Sequence, residues 1–309
     1  CGACGLAGCH QLALAVADGR ADAMACPVGG NELAQKIAAV LGVEVEEQEE
    51  MVAVVRCQGS PDKSPDRFEY QGFETCAAAH LVGGGHKACD WGCLGFGDCV
   101  VACPFEAMAM GENRLPIVLD DKCTACGKCV EACPRDIMEL IPRKANIFIA
   151  CMNPNRGKDV KQVCSVGCTG CTLCANPKNT PSGMIRMEEY LPVFDYSIED
   201  DPVVAVYKCP TDSLVDKLAG KRPVFYISET KCTGAGECAK VCPVKGCIEQ
   251  LENGKYVIHA EQCIGCGLCE PVCPSDAISV MGALGYQGGA EEMEAAVRAP
   301  EASESVQGL

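Results

Sequence analysis

The sequence is short of the materials of an ordinary globular core. One tryptophan and seven each of tyrosine and phenylalanine are spread over 309 residues, so large aromatic cores cannot organise the fold. The longest apolar runs, such as MVAVV and IFIA, fall well short of the roughly 18 residues that a membrane-spanning helix needs. Nothing resembles a signal peptide. Positive charge is scarce: 26 Lys and Arg face 42 Asp and Glu, a formal net charge of −16. That argues against nucleic acid as a partner, because phosphate binding needs a basic face. There is no P-loop and no nucleophile constellation. GGGHKA, residues 83–88, satisfies G-x-G-x-x-A formally, but it follows no convincing strand and runs into Cys89, so no dinucleotide site is read there. The four histidines stand singly, and His10 and His86 suit supporting or surface roles better than ligation.

What is present is cysteine, 28 of them, with 33 glycines and 18 prolines. Cysteine at this density means a disulfide scaffold or a metal protein. Disulfide scaffolds belong to secreted chains, and tight triplets suit metal better than bridging geometry. Residues 1–43 read as a small helical unit, with a helix after Cys9 ending at Gly19 and a second opened by Asn31, with Leu33, Ile37, Val40 and Leu41 on one face. EVEEQEE, residues 44–50, reads as a solvated linker. Short β-type segments then alternate with cysteine clusters about every 30 residues, as from Cys93 to Cys123 and from Cys232 to Cys263. This predicts an α+β protein of tandem modules over residues 51–145, 146–220 and 221–285, followed by an acidic tail over 286–309.

In the run C-x2-C-x2-C-x3-C-P, three closely spaced cysteines wrap three corners of an iron–sulfur cube and the fourth reaches the neighbouring cube. Cys123, Cys126, Cys129 and Cys133 match it throughout, as do Cys263, Cys266, Cys269 and Cys273, each set followed by proline. Zinc favours two separated C-x2-4-C knuckles, so the third cysteine and the proline speak for iron. Half-site pairing gives Cys103 as fourth ligand to Cys123, Cys126 and Cys129, and Cys242 as fourth ligand to Cys263, Cys266 and Cys269. The reciprocal sites are irregular. Phe96 and Ala235 occupy the middle ligand position, leaving Cys93, Cys99 and Cys133 in one and Cys232, Cys238 and Cys273 in the other. Cys89 is taken as the substitute at the first; the second stays open between [3Fe-4S] and [4Fe-4S]. Cys247 falls where the repeat has a small apolar residue, which favours simple packing.

CTGCTLCANPKNT, residues 168–180, has three cysteines and then Lys178 where the fourth belongs. A full module would also carry ligands at Glu199, Pro202 and Ala205. All four losses fall on one cluster, so the other is kept by Cys168, Cys171, Cys174 and Cys209. Cys1, Cys4, Cys9 and Cys26 form a further set, for which zinc remains an alternative. Six sites result. Cys57, Cys76, Cys151, Cys164 and Cys247 stay unassigned, with buried free thiols as the default, although Cys164 precedes Cys168 as Cys89 precedes Cys93. Trp91 reads as a shield over a cluster.

CGACGLAGCHQLALAVADG with CPVGG resembles the N-terminal cluster domain of the B subunit of Rnf electron-transport complexes. RCQG, GGGHKACDWGCLGFGDCVVACPFEAM, KCTACGKCVEACPRDIMELIP and GKDVKQVCSVGCTGCTLC resemble the longer, anaerobe-type version of that subunit. The resemblance implies tandem two-cluster ferredoxin modules (βαββαβ-like) and an electron-transfer subunit of a ferredoxin:NAD oxidoreductase that pumps Na+ or H+. It implies reduced ferredoxin or flavodoxin as donor, other subunits of a membrane redox complex as partners, and a place at the cytoplasmic face of the membrane, with no flavin or NAD on this chain. The family carries a membrane anchor before the first cluster, whereas this sequence begins at Cys1; the lost cluster and the module at 230–280 are further departures. Two other readings remain: the electron-transfer subunit of a soluble oxoacid:ferredoxin oxidoreductase or bifurcating flavoenzyme, and a zinc-bound scaffold.

Overall fold

The computed structural model describes residues 1–281; the tail expected over 286–309 lies outside them. The chain divides into two compact units, Cys1–Asp216 and Lys217–Leu309. Strands among the described residues occur as six two-stranded antiparallel sheets.

The first unit opens with α1 (Cys9–Ala17) and α2 (Gly30–Leu41). Asn31 is not the cap of α2: Gly29 holds that position, and the Asn31 amide exchanges two hydrogen bonds with the Gln48 backbone at 2.8 and 2.9 Å. The buried face is also narrower than the sequence predicts. Ala34 and Ala38 are buried, whereas Val40 is 86% exposed. The acidic run is solvated but tethered, through Gln48 and through ion pairs of Glu49 with Lys144 and Glu50 with Arg143. Exposed pairs of this kind contribute little each.

β1 (Met51–Val55), the hairpin of β2 (Met108–Met110) and β3 (Pro116–Val118), and β4 (Met138–Pro142) follow, with β1 paired to β4 from Met51↔Pro142 to Val55↔Met138. The same plan recurs: β5 (Ile147–Ile149) pairs with β8 (Leu214–Asp216) around the hairpin of β6 (Ile185–Glu188) and β7 (Leu191–Phe194). In the second unit β9 (Phe225–Ile227) pairs with β12 (Ile278–Val280) around β10 (Ile248–Gln250) and β11 (Tyr256–Ile258).

The β1 sequence MVAVV explains how such short strands are held. Val52 and Val54 pack on one face against Ile141 and Phe148, while Ala53, on the other face, packs with Cys99, Met108, Cys129 and Met138. Alternation thus gives one face to an aliphatic core and the other to the thiols. Each fully buried large aliphatic is worth about 1.5–3 kcal/mol. Cores this small depend on whatever the cysteines hold for the rest.

Candidate metal centres

Each cysteine loop has the same backbone device. The residues before and after the middle corner have positive φ: Gly95 and Gly97, Ala125 and Gly127, Gly170 and Thr172, Gly234 and Gly236, Gly265 and Gly267. The device persists where the middle cysteine has become Phe96 or Ala235. At Gly234 glycine is also required by space, since a Cβ would lie 2.5 Å from the Gly254 carbonyl oxygen on the inner hairpin. After four of the five remote Cys-Pro ligands, Glu106, Asp136, Asp212 and Asp276, three residues beyond the cysteine, have φ of 51, 54, 50 and 45. These left-handed turns reverse the chain immediately after the remote ligand.

The thiols gather around cavities. Cys103, Cys123, Cys126 and Cys129 line one of about 320 Å³. Burial pushes the Cys129 thiol up to about 11, with the Cys123 and Cys126 thiols adding to it, so ligation must displace protons. Cys168, Cys171, Cys174 and Cys209 line a second, of about 330 Å³. Burial pushes Cys168 up to about 12 and Cys174 to about 11. The segment with Pro202 and Ala205 at the expected ligand positions is a short helix (Val203–Tyr207) with Pro202 as its cap, and Val203, Val204 and Ala205 are buried.

The Cys93, Cys99 and Cys133 cavity, about 380 Å³, has a different fourth thiol from the expected one. Cys76 lines it, and Cys89 does not. Burial pushes Cys99 up to about 12, followed by the Cys133 and Cys76 thiols. Cys76 begins the short helix Cys76–Leu81, whose first amides, of Cys76 and Ala77, donate to the Asp98 carboxylate at 2.8 and 2.9 Å. Asp98 immediately precedes Cys99, so one carboxylate fixes the distance between the two thiols' backbones. Phe96 turns instead into an aromatic group with Tyr70 and His86. Burial lowers the basicity of His86. Cys89 lines another cavity, with Cys57, Cys151 and Cys164. Cys76 is separated from Cys93 by the GGGHKA turn, and no local spacing encodes their approach.

In the second unit Cys232, Cys238 and Cys273 line a cavity of about 280 Å³ together with Ala235; no other cysteine lines it. Cys242, Cys263, Cys266 and Cys269 form the neighbouring group, in which burial pushes Cys269 up to about 12 and the other three thiols add to the shift. Cys247, 2% exposed, packs in the same core and lies against Cys242 and Cys263. It does not line the Ala235 cavity. Cys1, Cys4, Cys9 and Cys26 sit on and around α1 with exposed or half-buried side chains.

These sets fit iron–sulfur cubes. Among the described residues no group of three or more metal-ligating side chains is gathered closely enough to hold a single metal ion. Thiols instead face a cavity from several sides, with backbone N–H donors on the sulfurs, as from Ala53 to Cys123 at 3.5 Å and from Ala277 to Cys273 at 3.3 Å. GGGHKA offers no phosphate cradle: its glycine carbonyls accept from guanidinium groups, Gly83 and Gly85 from Arg67 and Gly84 from Arg135.

A small-core α+β chain that surrounds several cavities with thiols is a multi-cluster iron–sulfur electron carrier. Residues 89–138 and 225–296 match 4Fe-4S dicluster domain families, and residues 1–28 match a family described as a putative Fe-S cluster. The B subunit of the ion-translocating oxidoreductase complex of Methanosarcina acetivorans is 38% identical over 79% of this chain and 80% of its own length. The B subunit of the Na(+)-translocating ferredoxin:NAD(+) oxidoreductase complex of Acetobacterium woodii is 39% identical over 74% and 68%. Its counterpart in the proton-translocating complex of Clostridium ljungdahlii is 44% identical over 71% and 78%. The chain belongs to the B-subunit family of Rnf-type ion-translocating oxidoreductase complexes. It is an iron–sulfur electron-transfer subunit. Among its described residues no helix is long and apolar enough to cross a membrane.

Proposed function

We propose that this chain takes electrons from reduced ferredoxin or flavodoxin and relays them within an Rnf-type ferredoxin:NAD oxidoreductase coupled to Na+ or H+ translocation, at the cytoplasmic face of the membrane. Its modules are βαββαβ-like ferredoxin repeats over 51–145, 146–220 and 221–285, behind the N-terminal cluster domain 1–43. The ligand sets are Cys1, Cys4, Cys9 and Cys26; Cys76, Cys93, Cys99 and Cys133; Cys103, Cys123, Cys126 and Cys129; Cys168, Cys171, Cys174 and Cys209; and Cys242, Cys263, Cys266 and Cys269. Cys232, Cys238 and Cys273 complete the six as a three-thiol site suited to [3Fe-4S]. The protein supplies thiolates, N–H donors to their sulfurs and exclusion of water; the clusters supply one-electron chemistry.

The observation that carries this reading is the cavity shared by Cys168, Cys171, Cys174 and Cys209, because a degenerate module has kept one complete ligand set and nothing of the other. Iron and sulfide are measured per chain in protein prepared without oxygen, with EPR before and after reduction by ferredoxin. About 23 irons or more and full reduction by ferredoxin are expected. Fewer than about 16 irons would sink the assignment. Cys209→Ser is expected to cost one cluster, while Lys178→Cys alone gains none.

A further inference from the structure

The cavity of about 350 Å³ lined by Cys57, Cys89, Cys151 and Cys164 belongs to none of the six sites. In number of thiols it matches the Cys103, Cys123, Cys126 and Cys129 cavity. The four cysteines come from separate stretches of the first unit, and small residues leave room between them. A Cβ added at Gly59 would stand 3.5 Å from Cys57 Sγ and 3.7 Å from Cys164 Sγ.

Three of the four sulfurs accept from N–H donors. Cys57 Sγ accepts from the amides of Gly59 at 3.3 Å and Cys93 at 3.4 Å. Cys151 Sγ accepts from the Cys168 amide at 3.3 Å. Asn153, itself buried, donates Nδ2 to Cys89 Sγ at 3.5 Å. The amides of Val166 and Gly167 point to Cys164. Neutral thiols are weak acceptors, and such a set of donors is better suited to thiolates. Cations are here as well, in a chain of net charge −16. Lys87 and Arg135 are buried; Arg135 Nη1 donates to the Cys89 carbonyl at 3.3 Å, and the Lys87 ammonium acts on Cys164 while keeping Asp66 as a partner at 3.0 Å. A four-thiolate cluster would add an anion beside these cations.

We propose that Cys57, Cys89, Cys151 and Cys164 hold a seventh, four-iron cluster that relays electrons between the Cys76/Cys93/Cys99/Cys133 centre and the Cys168/Cys171/Cys174/Cys209 centre. Its position follows from two hydrogen bonds: the Cys93 amide to the Cys57 sulfur, and the Cys168 amide to the Cys151 sulfur. A ligand residue of each flanking centre is thereby bonded to a ligand of this one. One electron arrives from the reduced centre on one side and one leaves to the oxidised centre on the other. The relay returns to its starting charge, and no proton or atom moves. It stands beside the module that gave up its second cluster, so the wire is continued by thiols from outside the repeat.

The proposal rests on the reading that the flanking sets hold clusters, and the test separates the two. Iron per chain in the anaerobically reconstituted full chain is expected at about 27 or 28. A count of about 24 or fewer overturns the seventh cluster and leaves the six, and a count near zero overturns both. Cys57→Ala and Cys151→Ala, singly and together, locate it by Mössbauer spectroscopy. Each single variant is expected to lose between about one and four irons from one spectral component, and the double variant about four and no more. Unchanged iron in both single variants overturns the ligand assignment. The wild-type count needs no variant to fold.

Discussion

The loops 93–99 and 232–238 lost the same ligand and met different ends. Both keep left-handed residues on each side of the missing corner, Gly95 and Gly97 in one, Gly234 and Gly236 in the other, so each still has the backbone of a cluster loop. Phe96 is large and leaves the site for an aromatic group with Tyr70 and His86, and a helix-borne thiol, Cys76, lines the cavity. Ala235 is small, stays on the cavity wall, and no fourth cysteine joins it. The difference lies outside the loops. The first unit carries a long insertion between β1 and the loop, from which a substitute is drawn; the second unit has no such insertion.

Removing the substitute should make the first loop behave like the second. Cys76→Ala is expected to lose at least about one iron per chain and to add a second oxidised three-iron EPR signal; an unchanged spectrum would return Cys89 to the site. The converse change, Ala235→Cys, should gain about one iron and abolish the three-iron signal of the wild type. If the wild-type protein as purified has no such signal, the contrast between the loops is wrong. The smallest effect is expected from Asp98→Ala. It removes the carboxylate from the amides of Cys76 and Ala77, costing about 1–2 kcal/mol, which a fall of several degrees in Tm would report while iron content stays near wild type.

Much of the metal chemistry is legible in the sequence. Cys123, Cys126 and Cys129, or Cys263, Cys266 and Cys269, lie within one loop, and x2 spacing is itself the geometry of three adjacent corners. The grouping of Cys209 with the Cys168 loop around one cavity is foreshadowed too, because substitutions at Lys178, Glu199, Pro202 and Ala205 have a common explanation. Cys57, Cys76, Cys151 and Cys164 are not. Cys57, Cys76 and Cys151 each stand alone in their stretch and belong to no cysteine run, and Cys164 has only its place four residues before Cys168 to mark it. Cys89 lines a different cavity from Cys93 although the two stand four residues apart, because nearness along the chain does not fix which cavity a side chain faces. In α2 the same error of scale appears, since Asn31 looks like a cap from its neighbours alone and is used instead to hold Gln48.

The class of protein, and the expectation of three-corner loops with remote Cys-Pro partners in the regular modules, can be read from the residues alone, because these depend on a few residues and on turns that glycine, proline and aspartate specify locally. Tertiary structure alone decided which thiol faces the open side of each irregular site. That side points away from its own loop, and what arrives there depends on packing: a helix held by Asp98 brings Cys76, and four separate segments bring Cys57, Cys89, Cys151 and Cys164 around one cavity.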